Sequence, residues 1–280
     1  MILSGKAKVA GVMGWPVGHS RSPRLHGYWL ESYGIDGAYI PLAVPPDGIA
    51  QALRALPALG MKGCNVTVPH KEAAFRIVDV LDPAARRIKA VNTVIVRPDG
   101  SLEGRNTDAF GFAENLREGA PDWQPAAGPA MVVGAGGAAR AVAVALLDMG
   151  VPELRVVNRT RAKAEELAAD LGAAVTVIPW EWRGRALADS GLLVNTTTQG
   201  MQGQPALELD LAALPPAAVV TDIVYTPLLT PLLAEAKRRG NPIVDGLGML
   251  LHQARPGFQA WFGLLPQVTP ALRRFVLEGI

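Results

Sequence analysis

The run Ala130-Met131-Val132-Val133-Gly134-Ala135-Gly136-Gly137-Ala138-Ala139 leaves this chain few ways to fold. Four apolar residues in succession read as a strand buried on both faces, as in a parallel sheet. Glycines follow at once, and the alanine-rich stretch from Ala138 to Met149 then has the composition of a helix. In such a turn Gly134 permits the tight reversal, Gly136 lets the backbone approach a pyrophosphate, and Ala139 fills the close helix–strand contact. The helix N-terminus adds N–H donors and the positive end of a dipole. Glycine turns also close ordinary βα units, but strand, loop and helix here fall in the order that nucleotide binding requires.

The next apolar run, Leu154 to Val157, ends in Asn158-Arg159-Thr160-Arg161. An enzyme that binds NAD usually carries an Asp or Glu at this strand end, to hold the ribose 2′-hydroxyl. Two guanidiniums and a hydroxyl stand there instead, and they suit a 2′-phosphate. The competing reading is a solvated helix start with Thr160 as N-cap. Together with the glycine loop, the pattern favours NADP.

Elsewhere short β-like runs alternate with helical stretches, the mark of α/β architecture with mostly parallel sheets. Val9 to Met13 predicts a strand, Pro23 to Tyr33 a helix, Ala38 to Val44 a strand and Ile49 to Leu59 a helix. Cys64 to Val68 predicts a third strand, with a helix opening at Pro69. Val91 to Val96 and Ser101 to Gly104 flank Pro98-Asp99-Gly100 and predict a hairpin with Asp-Gly at its tight turn. Gly119 to Pro129 is rich in Gly and Pro and predicts the loop into a second unit, which repeats strand and helix from Ala130 to about Asp245. Met249 to Phe258 and Pro270 to Leu277 predict helices that pack back on an earlier part of the chain.

Composition narrows the partners. The 280 residues include one cysteine and carry a net charge of +2. No disulfide is available within the chain, which points to a reducing, cytoplasmic setting. His19, His26, His70 and His252 lie at no metal-ligand spacing, so no metal is expected. No signal peptide or bilayer-length apolar run is evident. No basic stretch is interleaved with aromatics, so neither nucleic acid nor membrane is an expected partner.

Several polar segments could converge on a small polyol acid. Ser20-Arg21-Ser22-Pro23 opens a helix, with Pro23 suited to the first helical position and Ser22 to the N-cap. Two hydroxyls at a helix start can seat a carboxylate, or can simply cap. Asn65 and Thr67 alternate with Val66 and Val68, which predicts two polar groups on one strand face and two valines toward a core. Lys71 then falls in a helix's first turn, where the dipole disfavours an ammonium and so favours proton donation. Asn92 opens the hairpin strand. Asp108 precedes the helical Ala109 to Arg117, where an ordinary N-cap is the competing reading.

These segments together resemble the shikimate dehydrogenase family. The resemblance runs through Ser20-Arg21-Ser22, Gly63-Cys64-Asn65-Val66-Thr67-Val68-Pro69-His70-Lys71, Ala90-Val91-Asn92-Thr93 and Gly104-Arg105-Asn106-Thr107-Asp108. It continues through Gly134-Ala135-Gly136-Gly137-Ala138, Asn158-Arg159-Thr160, Asn195-Thr196-Thr197, Asp222-Ile223-Val224-Tyr225 and Gly246-Leu247-Gly248-Met249-Leu250-Leu251-His252-Gln253-Ala254. It covers nearly the whole chain in one order, and that ordered set is far more specific than any piece.

The family implies reversible, NADPH-dependent reduction of 3-dehydroshikimate to shikimate in aromatic amino-acid biosynthesis. It implies an α/β substrate domain of residues 1–107 plus 246–280, and a Rossmann-type NADP domain of residues 108–245, with the active site in the cleft. Carried onto this sequence, Ser20 and Ser22 hold the carboxylate. Asn65, Thr67, Asn92, Asp108 and Gln253 hold the ring hydroxyls, with Tyr225 nearby. Lys71 transfers the proton and Asp108 orients it. Gly134, Ala135, Gly136, Gly137, Ala138, Asn158, Arg159, Thr160, Arg161, Ile223 and Gly246 belong to the cofactor side. A monomer or a homodimer is expected.

Two positions depart from the family pattern. Lys89 stands where glycine is common, and Pro83 stands where an acid often occurs, with Asp82 beside it. Alternatives are a quinate or dual quinate/shikimate dehydrogenase and a non-catalytic NADP or metabolite sensor. The Ser20/Ser22 pair argues against the first, and the intact Lys71 and Asp108 against the second. A glutamyl-tRNA reductase relative would need a cysteine nucleophile and a long helical tail.

Overall fold

The computed structural model describes residues 2–278. The described residues divide into two compact units, 2–107 with 253–278, and Asp108–His252. No helix of the described residues is long and apolar enough to cross a membrane.

The first unit holds β1 (Lys8–Gly14), α1 (Ser22–Ser32), β2 (Gly37–Ala43), α2 (Ile49–Ala55), β3 (Gly63–Val66), α3 (Lys71–Ile77), β4 (Val80–Leu81), α4 (Pro83–Ile88), β5 (Thr93–Val96) and β6 (Leu102–Arg105). The strand order is β2-β1-β3-β5-β6-β4. The β1–β2, β1–β3 and β4–β6 pairs are parallel, whereas β3–β5 and β5–β6 are antiparallel. Met13, Leu53, Leu56, Cys64, Val66, Val91 and Val94 are buried together against this sheet.

Several boundaries differ from expectation for local reasons. Helix α2 stops at Ala55, well before Leu59, as Pro57 approaches with no N–H to continue the ladder. Helix α1 begins at Ser22, with Arg21 at the N-cap and no side-chain cap bond, so Ser22 is not the cap. Strand β3 ends at Val66, so the expected alternation stops there: Val66 is buried, but Val68 is 67% exposed and does not face the core. The β5–β6 connection runs from Arg97 to Ser101. Gly100 has φ 83°, and the Asp99 carboxylate accepts from both the Ser101 N–H and hydroxyl. Lys89 caps α4 in the left-handed region at φ 60°, ψ 31°, which explains why glycine suits this position. Asp82 caps the same helix, accepting from the Ala85 N–H at 2.6 Å, with Pro83 as its first residue.

The second unit runs through α5 (Asp108–Gly119), β7 (Ala130–Val133), α6 (Gly137–Asp148), β8 (Leu154–Val157), α7 (Arg161–Leu171), β9 (Val175–Ile178), β10 (Leu192–Asn195), β11 (Val219–Asp222), α8 (Pro231–Arg238) and β12 (Ile243–Val244). Its sheet has the order β12-β11-β10-β7-β8-β9 and every pairing is parallel. That is the doubly wound order, whose topological switch lies between β7 and β10, and ligands of such sheets bind at the strands' carboxyl ends there. Helix α9 (Leu247–Phe262) starts in the second unit and ends in the first, and α10 (Pro270–Leu277) belongs to the first.

The tail is fastened to its unit by two indoles. Trp29 Nε1 donates to the Gln267 carbonyl at 3.0 Å, and Trp261 Nε1 donates to the Val94 carbonyl at 3.1 Å. Gly63 lies under the second bond with φ 145°, and an added Cβ there would run into the Val94 carbonyl. Gly63→Ala is therefore expected to destabilise the protein by at least about 2 kcal/mol, measured as a shift in urea midpoint. An unchanged midpoint would contradict this fit.

Candidate active site

The polar residues of the first unit are built on strand ends and turns. Asn65 is the penultimate residue of β3 and is 6% exposed. Its Nδ2 donates to the Asn92 carbonyl and to Thr93 Oγ1, each at 3.1 Å, and its Oδ1 accepts from the Tyr39 hydroxyl at 2.6 Å. Asn92, just before β5, accepts at Oδ1 from the Thr107 N–H at 2.9 Å and from Thr93 Oγ1 at 3.0 Å. Its Nδ2 donates to Thr107 Oγ1 at 3.0 Å and to Gln253 Oε1 at 3.4 Å. Stretches of chain far apart in sequence thus share one buried network of amides and hydroxyls. Thr93 and Thr107, which lie within the resembling segments without a role of their own, belong to it, and so does Tyr39, which lies outside every motif. Residues of ordinary strand type become polar anchors only once the sheet order is known.

Lys71 is the first residue of α3, and its carbonyl accepts from the Val91 N–H at 3.0 Å. The helix opens two residues after Pro69, because Thr67 to His70 form a turn closed by the His70 N–H on the Thr67 carbonyl at 2.9 Å. His70, buried at the N-cap position, donates from Nε2 to the Val44 carbonyl at 2.7 Å and so pins the start of α3 to the end of β2. A lone histidine carries no ligand spacing, so the sequence gives His70 no such role. Asp108 is buried and is itself the first residue of α5, rather than a cap before a helix from Ala109.

Ser22 is buried at the start of α1, and its N–H donates to Ser20 Oγ at 3.3 Å. Thr67 is half-buried beyond the end of β3. Gln253 meets Asn92 within the first unit, whereas Tyr225 lies in the second, on the loop after β11.

In the second unit Gly134 has φ 115°, and a Cβ there would collide with the Thr196 hydroxyl, which donates to the Val133 carbonyl at 2.7 Å. Added Cβ atoms at Gly136 and Gly137 would meet nothing within 4 Å, so open space lies over the loop where α6 begins. Ala135 and Ala139 are buried and Ala138 is half-buried. Arg140 is tied to Asp170 at 2.6 Å and Glu166 at 2.8 Å and braces α6 against α7.

At the end of β8, Asn158 Nδ2 donates to the Thr160 carbonyl at 2.8 Å. Thr160 occupies the N-cap position of α7 but makes no side-chain cap bond. Arg161 pairs with Glu165 at 2.7 Å, whereas Arg159 is exposed and makes no ion pair among the described residues.

The ends of β10 and β11 are locked by a buried carboxylate. Asp222 is fully buried, and burial pushes its acid above the usual range. It accepts from Asn195 Nδ2 at 3.1 Å, the Val224 N–H at 3.0 Å and the Thr230 hydroxyl at 2.8 Å. Ile223 follows directly, and its carbonyl lies against Gly246 so closely that no Cβ fits there.

Comparison with known proteins agrees along the whole chain. Residues 12–94 match the family described as shikimate dehydrogenase substrate binding domain, and residues 124–202 match shikimate / quinate 5-dehydrogenase. The shikimate dehydrogenase (NADP(+)) of Paramagnetospirillum magneticum is 67% identical over 276 residues, which cover 99% of this chain and 100% of that one. Among solved structures, shikimate 5-dehydrogenase from Thermus thermophilus, in complex with NADP(H) and shikimate, superposes with TM-score 0.86 at 39% identity, covering 98% of this chain and 100% of that chain. Quinate dehydrogenase from Corynebacterium glutamicum, in complex with NAD, superposes with TM-score 0.90 at 31% identity, covering 97% and 99%. On these grounds the chain belongs to the shikimate dehydrogenase family.

Proposed function

We propose that this chain reversibly reduces 3-dehydroshikimate to shikimate with NADPH, using Lys71 as proton donor and Asp108 as its partner. The observation that carries the reading is the buried network of Asn65, Thr93, Asn92, Thr107 and Gln253. It suits a compact polyol, and the chain leads directly from it to Lys71 at the head of α3 and to Asp108 at the head of α5.

In this reading Ser20 and Ser22 take the substrate carboxylate at the start of α1. Asn65, Thr67, Asn92, Asp108 and Gln253 take the ring hydroxyls, with Tyr225 beside them. The 3.4 Å bond between Asn92 and Gln253 is long for a hydrogen bond, so a ring hydroxyl displaces it at small cost. Gly134 to Ala138 cradle the pyrophosphate, and the open space over Gly136 and Gly137 fits that role. Arg159, with no carboxylate to satisfy it among the described residues, takes the 2′-phosphate, flanked by Asn158 and Thr160. Arg161 would have to share its guanidinium with Glu165. Ile223 and Gly246, in close contact, lie on the cofactor side. The buried Cys64 is held as a thiol and suits a reducing cytoplasm.

Bound NADPH supplies the hydride. As the carbonyl carbon is reduced, negative charge gathers on its oxygen, and the Lys71 ammonium both stabilises that charge and gives up a proton from Nζ. The Asp108 carboxylate orients the ammonium toward that oxygen. In the reverse direction neutral Lys71 accepts the proton of the alcohol.

The similarity to a quinate dehydrogenase makes quinate the competing substrate. Steady-state assays with both acids and both nicotinamides should give the highest kcat/KM for shikimate with NADP. Quinate adds a hydroxyl and a puckered carbon where the two serines grip. Arg159→Ala should raise KM for NADP at least about tenfold and leave that for NAD nearly unchanged, since a charge-assisted phosphate contact is lost. Equal kcat/KM for shikimate and quinate, or a wild type that prefers NAD, would contradict the assignment. Lys71→Met should lower kcat by roughly two to four decades with a much smaller change in KM for shikimate. A near-normal kcat would remove Lys71 from the chemistry.

A further inference from the structure

We propose that Tyr39 is a positioning residue that leaves only the amide oxygen of Asn65 free to meet the substrate, so that Asn65 reads a ring hydroxyl that does not react. The inference rests on the reading above that Asn65 contacts the ring.

Tyr39 sits in β2 opposite Ala10 of β1, and Asn65 sits in β3 opposite Val12 of the same central strand. Register partners share a sheet face, and Ala10 is small enough to let the phenol reach across β1. The Tyr39 hydroxyl then donates to Asn65 Oδ1 at 2.6 Å, and both Asn65 N–H groups are used by the Asn92 carbonyl and Thr93 Oγ1. Turning the amide over would set its oxygen against the Asn92 carbonyl, two acceptors facing each other, so the orientation is fixed.

The donor itself is held constant. Burial pushes the Tyr39 phenol well above its ordinary range, so it remains an O–H donor throughout any assay. His26 stacks on the Tyr39 ring with centroids 3.9 Å apart and planes 2° apart. Burial pushes the His26 imidazole down to about 3, so the platform stays neutral as well. Trp29, Phe258 and Trp261 surround that imidazole and hold the stack in place.

An oxygen that can only accept recognises a group that donates. The reacting carbon alternates between alcohol and ketone, and a ketone has no hydrogen to give. Asn65 can therefore serve substrate and product alike only at a ring position that stays a hydroxyl throughout.

The test is Tyr39→Phe, which keeps the ring and its stack and removes only the hydroxyl. KM for shikimate and for 3-dehydroshikimate should rise together by about fivefold to tenfold. The kcat and the KM for NADP should stay within about twofold of wild type, a margin well below the roughly tenfold change that 1.4 kcal/mol produces. In an Asn65→Ala background the same substitution should add much less, because Tyr39 acts chiefly through Asn65, although its hydroxyl also lies within reach of Ser22. An unchanged KM in a variant with wild-type melting overturns the proposal. So does an equal penalty in the Asn65→Ala background, or a loss of kcat and of every KM together with stability, which marks a purely structural residue. A rise confined to the ketone or to the alcohol overturns the assignment to a non-reacting hydroxyl. Wild type is assayed first: no turnover of shikimate sinks the functional reading and this inference together, whereas turnover with additive variants sinks this inference alone.

Discussion

An amide or hydroxyl left unpaired inside a protein costs about 1–3 kcal/mol, and the first unit buries Asn65, Asn92, Thr93, Thr107 and Gln253 in one place. They pair largely with one another, which brings the ends of β3, β5 and β6 and the middle of α9 together. The mixed sheet order β2-β1-β3-β5-β6-β4 serves this requirement. Two antiparallel pairings bring Thr93 opposite Asn65 and opposite Arg105, two residues before Thr107. Trp261 on the Val94 carbonyl then holds the tail at the same strand. The result is a rigid polar surface whose donors and acceptors are assigned before any ligand arrives, the condition under which a site discriminates between hydroxyl and carbonyl.

The second unit meets a different constraint. A parallel sheet has its strands' carboxyl ends at one edge, and the loops there must accept a charged ligand without unpaired backbone. Gly134 at positive φ makes the turn after β7 under the Thr196 hydroxyl. Asn195 and Asp222 then share a hydrogen-bond system that ties the loop after β10 to the loop after β11. Burying the Asp222 carboxylate is tolerable because Asn195, Val224 and Thr230 all donate to it.

How legible each part is from sequence follows from how local its physics is. The doubly wound half can be read off Ala130 to Val133, Leu154 to Val157 and the glycines between them, because buried parallel strands are apolar runs and the phosphate turn demands glycine. Asn92 and Asp108 stand out through the ordered family resemblance, whereas Lys71 also stands out locally, as an ammonium in the first turn of a helix. The mixed sheet of the first unit leaves no such trace: β4 is only Val80–Leu81, and its partner β6 lies more than twenty residues on. Tyr39 and His70 are invisible for the same reason, since their partners Asn65 and Val44 are 26 residues away. Alternation alone overreaches at Val68, which lies past the end of the strand and is exposed.

The proposed chemistry requires Lys71 and Asp108 to work as one unit, and a double-mutant cycle on kcat measures that directly. Lys71→Met, Asp108→Asn and the double variant would be compared with wild type under saturating shikimate and NADP. If the carboxylate acts by holding the ammonium, the double variant loses little more than Lys71→Met alone, and the coupling energy is on the order of 1–3 kcal/mol. Losses that multiply, as for two independent residues, would contradict the account.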